Sequence, residues 1–416
     1  MIELSIPDLA MSFEDDEVVF LAGSSGEATE LSAALSNPDV RIAAAHFVTS
    51  FVPGINMTCL ARPDSRSRQS VFFMQRSMDG ARLEGRIDFR PTSYFGIHRY
   101  LSGSECRLDA VVAQISPPDR RGFCSLGPAV EFMPTVLARA SRKVGIINPN
   151  VPNLPGSFSL PLDGFQAIAH SSAPLAAYHL IPALDKAGAL VANLAQLIPH
   201  GATLQIGLGK IPSQLLDALK GHQDLCLHTG MISDAALRLA STGALRTRKA
   251  ILTGVAVGSG EFYSRLSAMN GLEFADVGIT HEPSTLLSLS KFHAVNSALE
   301  VDLLGQVNAE TVRGRYVGGP GGLPDFARAA HLDPEGLSII ALNATEAGGA
   351  ISKIVSQFEP GTPVTVPQHD VDAVVTEYGV ALLRGQSLDE RARRLCAIAS
   401  PTHRTALEQA ARTLLR

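Results

Sequence analysis

Thr203-Leu204-Gln205-Ile206-Gly207-Leu208-Gly209-Lys210-Ile211-Pro212, followed by Asp224-Leu225-Cys226-Leu227-His228-Thr229-Gly230-Met231-Ile232-Ser233-Asp234, is the stretch that decides the fold. Each piece is a short apolar run closed by turn residues ahead of a helical pattern, which reads as a buried strand feeding a helix. The first half repeats the design. Val18-Val19-Phe20-Leu21-Ala22-Gly23 leads into a helix from Ala28 to Leu35, as Thr203 to Gly207 leads into Ser213 to Leu219. Asp39-Val40-Arg41-Ile42-Ala43-Ala44 then answers Asp224 to His228. Strands alternating with helices predict an α/β fold of two tandem related domains with mainly parallel sheets. The boundary is expected near Pro174 to Leu180, giving domains 1–178 and 179–416, just before a helical pattern from Pro182 to Leu197.

A chain of 416 residues exceeds one ordinary core. With 45% hydrophobic and 18% charged residues it is globular, not disordered. A net charge of -5 with dispersed basic residues leaves no footprint for nucleic acid. Five well-separated cysteines, without a C-x-x-C pair, suggest neither a zinc cage nor a disulfide framework, and fit a reducing cytoplasm. Met1-Ile2-Glu3-Leu4 opens no signal peptide, and no apolar run reaches the ~18 residues of a membrane span. A soluble cytoplasmic protein without a membrane partner is expected.

Several motifs fail on inspection. Gly207-Leu208-Gly209-Lys210 is not a phosphate loop, because Leu204 takes the first glycine's place and Ile211 follows the lysine. As a strand-to-helix turn it still offers backbone N–H groups to an anion. Gly23-Ser24-Ser25-Gly26 has the wrong order for a serine-hydrolase elbow, and neither Cys124 nor Cys226 sits in a nucleophile signature. Gly318-Gly319-Pro320-Gly321-Gly322, ahead of Asp325-Phe326, reads either as a tight turn or as a backbone cradle whose N–H groups face a developing oxyanion. Glu300 and Asp302 share one face of an extended segment, and a structural use fits them best. Asn148 to Gly156 reads as an ordered surface loop.

Further segments run in order along nearly the whole chain. They are Gly85-Arg86-Ile87-Asp88-Phe89, Asp109 through Asp119, Gly122 through Gly127, Asn296 through Val307, Gly321 through Phe326, and Val375-Thr376-Glu377-Tyr378-Gly379. With them, the chain resembles the acetyl-CoA hydrolase/acyl-CoA:carboxylate CoA-transferase family. The resemblance implies an active site between two related halves, coenzyme A or acyl-CoA as the substrate, and no metal. CoA would be held mainly by the second half, with Gly207, Gly209, Lys210, Gly319, Gly321, Gly322 and Asn296 as the CoA- and oxyanion-binding residues. The expected partners are a small-molecule acyl-CoA and further copies of the chain in a homo-oligomer.

The chain departs from the family pattern where the resemblance places the chemistry. Gly230 stands at the position of the glutamate that attacks the thioester, and Lys210, His281, Glu282, Pro320 and Gln368 are further departures. Without a carboxylate at 230, the acyl group and CoA have no side chain to ride on during transfer. Candidate replacements are Glu282, in Thr280-His281-Glu282-Pro283, together with Glu261, His228 and Asp234. The reading is therefore hydrolysis, or a related cleavage, of a CoA thioester. CoA transfer and non-catalytic acyl-CoA binding stand as alternatives. Gly230→Glu is expected to confer transfer if the rest of the pocket is in register.

Overall fold

The structure, a computed structural model, describes residues 1–178 and 188–414. Two compact units emerge. The first gathers the described residues up to Tyr178 with Leu252–Thr280 and Val317–Gly319, and the second gathers those from Gly188 to Ile251, His281–Tyr316 and the rest from Pro320. The chain thus enters each unit more than once, which a single cut between 178 and 179 does not allow. That cut, and the start of the helical pattern expected from Pro182, lie outside the described residues. The pattern's latter part is the helix Gly188–Ala195.

In the first unit, eight strands form one parallel sheet: β1 (Ile2–Leu4), β2 (Val18–Leu21), β3 (His46–Thr49), β4 (Arg68–Val71), β5 (Ile87–Phe89), β6 (Ala110–Ile115), β7 (Arg142–Ile147) and β8 (Ala167–His170). Their order is β1-β8-β7-β6-β2-β3-β4-β5. All six residues of β6 are buried, as in a strand covered on both faces. Phe47, Leu21, Val112 and Val144 meet Leu31 and Leu35 of helix α1 (Thr29–Ser36) in one core.

The strand expected at Asp39 to Ala44 begins instead at His46. The reason is a contact from later in the chain. The buried Arg62 guanidinium takes the carbonyls of Leu35, Asn37 and Val40 through Nη1 at 3.2, 2.6 and 2.9 Å, so these oxygens are held away from any sheet ladder.

The second unit repeats the scheme with β9 (Thr203–Ile206), β10 (Cys226–Ile232), β11 (Phe292–Ser297), β12 (Leu337–Ala341), β13 (Ala373–Thr376) and β14 (Gly379–Leu382), in the order β10-β9-β11-β12-β13-β14. Pairing is parallel until β14, which returns antiparallel on β13. Helix α2 (Lys210–Ala218) follows β9, and α3 (Asp234–Ala240) follows β10. After β9 the chain moves to β10 on one side, while β11 lies on the other. This reversal is a topological switch point, the place where open α/β sheets bind their ligands beyond the carboxyl ends of the strands.

Outside the sheets, Val151 and Leu154 of the expected loop Asn148 to Gly156 are buried, and Asn148 Nδ2 is bonded to Gln114 Oε1 at 2.8 Å and to the Ala173 carbonyl at 2.9 Å. Glu300 accepts Asn308 Nδ2 at 2.8 Å, and Asp302 accepts the N–H groups of Leu304 and Gln306 at 3.0 and 2.8 Å, so both acids brace turns. The five cysteines are free. Among the described residues, no helix is long and apolar enough to cross a membrane, and no group of three acidic, cysteine or histidine side chains is placed to hold a metal ion.

Candidate active site

Register builds the site in the second unit. Leu204 pairs with Leu227 and Ile206 with Val295, so Gly207, Gly230 and Asn296 follow at one level on three neighbouring strands. Thr229 fastens that level by donating from Oγ1 to the Ile206 carbonyl at 2.8 Å. Gln205 and Asn296 exchange amide hydrogen bonds of 3.2 and 2.8 Å, which engages both ends of the Asn296 amide and ties β9 to β11. Asn296 therefore has a structural task beside the CoA-binding one expected of it.

Gly209 caps α2 with φ 126° and ψ 179°, a backbone that side-chain-bearing residues rarely adopt. Lys210 opens the helix and is half-buried. Nothing lies within 4 Å of a Cβ built on Gly207. The turn thus leaves its backbone accessible at the start of a nine-residue helix.

At Gly230 the space is taken. A Cβ built there would meet Cε1 and Nε2 of His281 at 3.0 and 3.1 Å. The same ring borders Gly322, whose Cβ would lie 2.7 Å from Nε2. His281 is 1% exposed, whereas Gly230, Gly321 and Gly322 are half-buried. Its ring rests on Phe326, with centroids 4.5 Å apart, and Phe326 in turn meets Phe292 at 6.2 Å. Phe326 is placed by helix α4 (Leu323–Leu332), whose buried Leu323, Phe326, Ala327 and Ala330 follow helical spacing. Burial first, and His228 second, push the His281 imidazole down to about 3, so the ring is neutral at physiological pH. His228 sits on β10, 3% exposed and edge-on to Phe292.

The acidic candidates go elsewhere. Glu282 is the N-cap of the helix Pro283–Leu287, accepting from the Thr285 N–H at 2.7 Å and from the Ser284 hydroxyl, and these bonds hold its carboxyl below the usual range. Proline at the first helical position is the sequence signal for that cap. Asp234 is the first residue of α3, a helix end that favours negative charge. Glu261 belongs to the first unit, on the helix Gly260–Arg265, with its carboxyl 3.5 Å from Arg265 Nη1. Gly319 also belongs to the first unit, packed so closely on the Phe72 carbonyl that no Cβ would fit. The sequence favours the carboxylate of the His281-Glu282 pair. The structure turns Glu282 to a helix end and His281 inward, against Gly230 and Gly322.

The first unit has a buried acid of its own. Glu131, with φ 34°, lies wholly inside and accepts Tyr94 OH at 3.2 Å and Ser24 Oγ at 3.3 Å. Ser24, also left-handed at φ 52°, occupies the turn after β2. No cation is among the causes acting on the Glu131 carboxyl, and burial lifts it to about 7. Strained backbone at a strand end marks functional ground more often than chance.

Residues 4–170 match the acetyl-CoA hydrolase/transferase N-terminal domain, and residues 258–411 match its C-terminal domain. The chain belongs to the acetyl-CoA hydrolase/transferase family. It is 31% identical to the 4-hydroxybutyrate coenzyme A transferase of Clostridium kluyveri, over 82% of this chain and 81% of that protein. It is 26% identical to an acetyl-CoA hydrolase of Yarrowia lipolytica, over 73% of this chain and 65% of the relative. The solved 4-hydroxybutyrate CoA-transferase of Porphyromonas gingivalis superposes with a TM-score of 0.80 at 26% identity, covering 99% of this chain and 98% of that one. Family members act on CoA thioesters, as transferases or as hydrolases, and the chain is an enzyme of one of these two kinds.

Proposed function

We propose that this protein hydrolyses an acyl-CoA, with water and not a second carboxylate as the acceptor. The observation that carries the reading is the end of β10, where Gly230 offers no carboxyl and the His281 ring fills the adjoining space. A transferase must park the acyl group and then CoA on its own side chain between partners. Of the acidic candidates in the second unit, Glu282 caps a helix and Asp234 opens one, tasks that helix ends assign to carboxylates.

Water needs no such carrier. Its oxygen attacks the thioester carbon, the C–S bond breaks, the carboxylic acid leaves, and the proton lost by water ends on the CoA sulfur. The half-buried glycines at 321 and 322 supply backbone N–H groups close to a developing oxyanion, and the turn at Gly207 to Lys210 supplies more for the anionic body of CoA.

The test is release of free thiol from a panel of acyl-CoAs, with and without acetate, succinate or 4-hydroxybutyrate. Release at the same rate without any acceptor is expected. Formation of a new acyl-CoA that depends on the acceptor, with no net thiol, would establish transfer in its place. Binding of CoA by calorimetry without turnover of either kind would make the protein an acyl-CoA binder.

A further inference from the structure

We infer that the second unit holds a binding site for a small phosphate monoester, in the cavity between the last turn of α4 and the start of helix α5 (Leu388–Ile398), with Arg384, His331 and His369 taking the phosphate. The site is independent of which acyl-CoA reaction the enzyme runs.

The cavity measures about 480 Å³, a size that suits a small molecule, and Arg384, Arg391, His331 and His369 are among the residues that line it. No acidic residue does. Asp372 is wholly buried and spends its oxygens on Arg384 Nε and Nη2 at 2.8 and 2.7 Å, on His331 Nδ1 at 2.8 Å and on the Ser338 N–H at 2.9 Å. Asp302, which acts on Arg391 through space, is bonded to the N–H groups of Leu304 and Gln306. Arg391 is 7% exposed and gives its own donors to the carbonyls of Leu304, Leu383 and Gln368. A guanidinium buried among carbonyls, with no carboxylate in contact, leaves a positive field over the cavity. Of the acids in the first turn of α5, Glu390 is paired with Arg393 and Arg394, and Asp389 lines a separate cavity against the last helix.

Arg384 and His331 are set before any ligand arrives. The Arg384 guanidinium is held by Asp372 and, through Nη2, by the carbonyls of Ala330 and His331 at 3.4 and 3.2 Å, which leaves Nη1 with no partner among the described residues. His331 is pinned through Nδ1, so Nε2 is its remaining polar atom. Both side chains stay open to solvent, at 34% and 28% exposure. His369 is exposed and makes no side-chain hydrogen bond among the described residues. A phosphate has oxygens enough to meet all three groups at once, and the planar guanidinium suits it. Leu388, 45% exposed and also in the lining, gives a carbon body a surface to cover.

The cavity lies away from the candidate active site. β12 and β13 begin at Leu337 and Ala373, beside Ser338 and Asp372, which puts the cavity at the amino ends of these strands, whereas Gly207, Gly230 and Asn296 lie at the carboxyl ends of theirs.

Calorimetry on the full chain with propyl phosphate, inorganic phosphate and propionate, at fixed ionic strength, tests the site. Propyl phosphate should bind once per chain, inorganic phosphate at least ~10-fold more weakly for want of the carbon body, and propionate more weakly still. Saturating CoA should leave the affinity for propyl phosphate unchanged. His369→Glu, at an exposed position without a structural bond, should fold as the wild type does and weaken propyl phosphate at least ~10-fold by setting like charges together. His331→Gln keeps a donor for Asp372 but has nothing at the place of Nε2, so it should weaken binding at an unchanged Tm. No binding of propyl phosphate at millimolar concentration, equal binding by the wild type and His369→Glu, or displacement by CoA would overturn the proposal. Equal affinity for inorganic and propyl phosphate would overturn it too, leaving the cavity to free phosphate alone.

Discussion

Gly230→Glu is expected to lower thiol release at least ~10-fold and to give no CoA transfer, while Gly230→Glu combined with His281→Asn gives acceptor-dependent transfer. The first atom of the new side chain lands 3.0 Å from His281 Cε1 and 3.1 Å from Nε2, and the rest of the glutamate must then occupy the ring's own place. The ring has little room to retreat, because Phe326 lies against it at 4.5 Å. Overfilling of this kind costs roughly 1–3 kcal/mol and displaces whichever group is less firmly held. Shortening residue 281 to asparagine reopens the space, and a nucleophile already positioned on a strand end gains the advantage of an intramolecular reaction. Production of a new acyl-CoA in the presence of acetate measures the outcome, and hydroxylamine trapping with mass spectrometry of the peptide containing residue 230 identifies the adduct. Equal transfer by the single and the double variant would show that His281 does not occupy the carboxylate's space.

Stability is expected to fall between pH 5 and 8 by on the order of 3 kcal/mol through Glu131 alone. The sign follows from the proton. A folded-state value of about 7 stands above the ordinary 4.5, so the native chain binds this proton more tightly than the unfolded chain does. The contribution is whole below the unfolded value and is lost as the pH rises through the folded one. Glu131→Gln keeps an oxygen for Tyr94 and Ser24 and removes the titration. The wild type should therefore lose more Tm than the variant between pH 5 and 8. Parallel curves would mean that Glu131 is already ionised inside the fold or that solvent reaches it.

The strands at the heart of both units were legible because their signals are local. Val18 to Leu21 and Thr203 to Ile206 are apolar runs with a turn behind them, and both are strands. Asp39 to Ala44 has the alternation of a strand, yet its neighbouring carbonyls are claimed by Arg62, which comes much later in the chain. The same limit hid the membership of Leu252–Thr280 in the first unit. The ties are the Gly254 carbonyl to the N–H groups of Val130 and Glu131, and the Ala256 carbonyl to Ser25 Oγ, none of which has a sequence signature. At the candidate site, the glycines and the strand ends were readable from spacing. Which of His281 and Glu282 faces inward is decided by the helix start at Pro283, a signal present in the sequence that makes Glu282 a cap. The contact of His281 with both Gly230 and Gly322 joins three separate segments and had no local mark.

The central claim is that the thioester reacts over Gly230 with no enzyme carboxylate in attendance. A crystal structure with an unreactive acyl-CoA analogue bound tests it most directly, through the distances from the acyl carbon to the surrounding side chains. The expected result is an acyl group beside the end of β10 at Gly230, with no carboxylate oxygen of the enzyme within reach of the acyl carbon. A carboxylate oxygen of Glu261, Glu282 or Asp234 in line to attack the acyl carbon would contradict it.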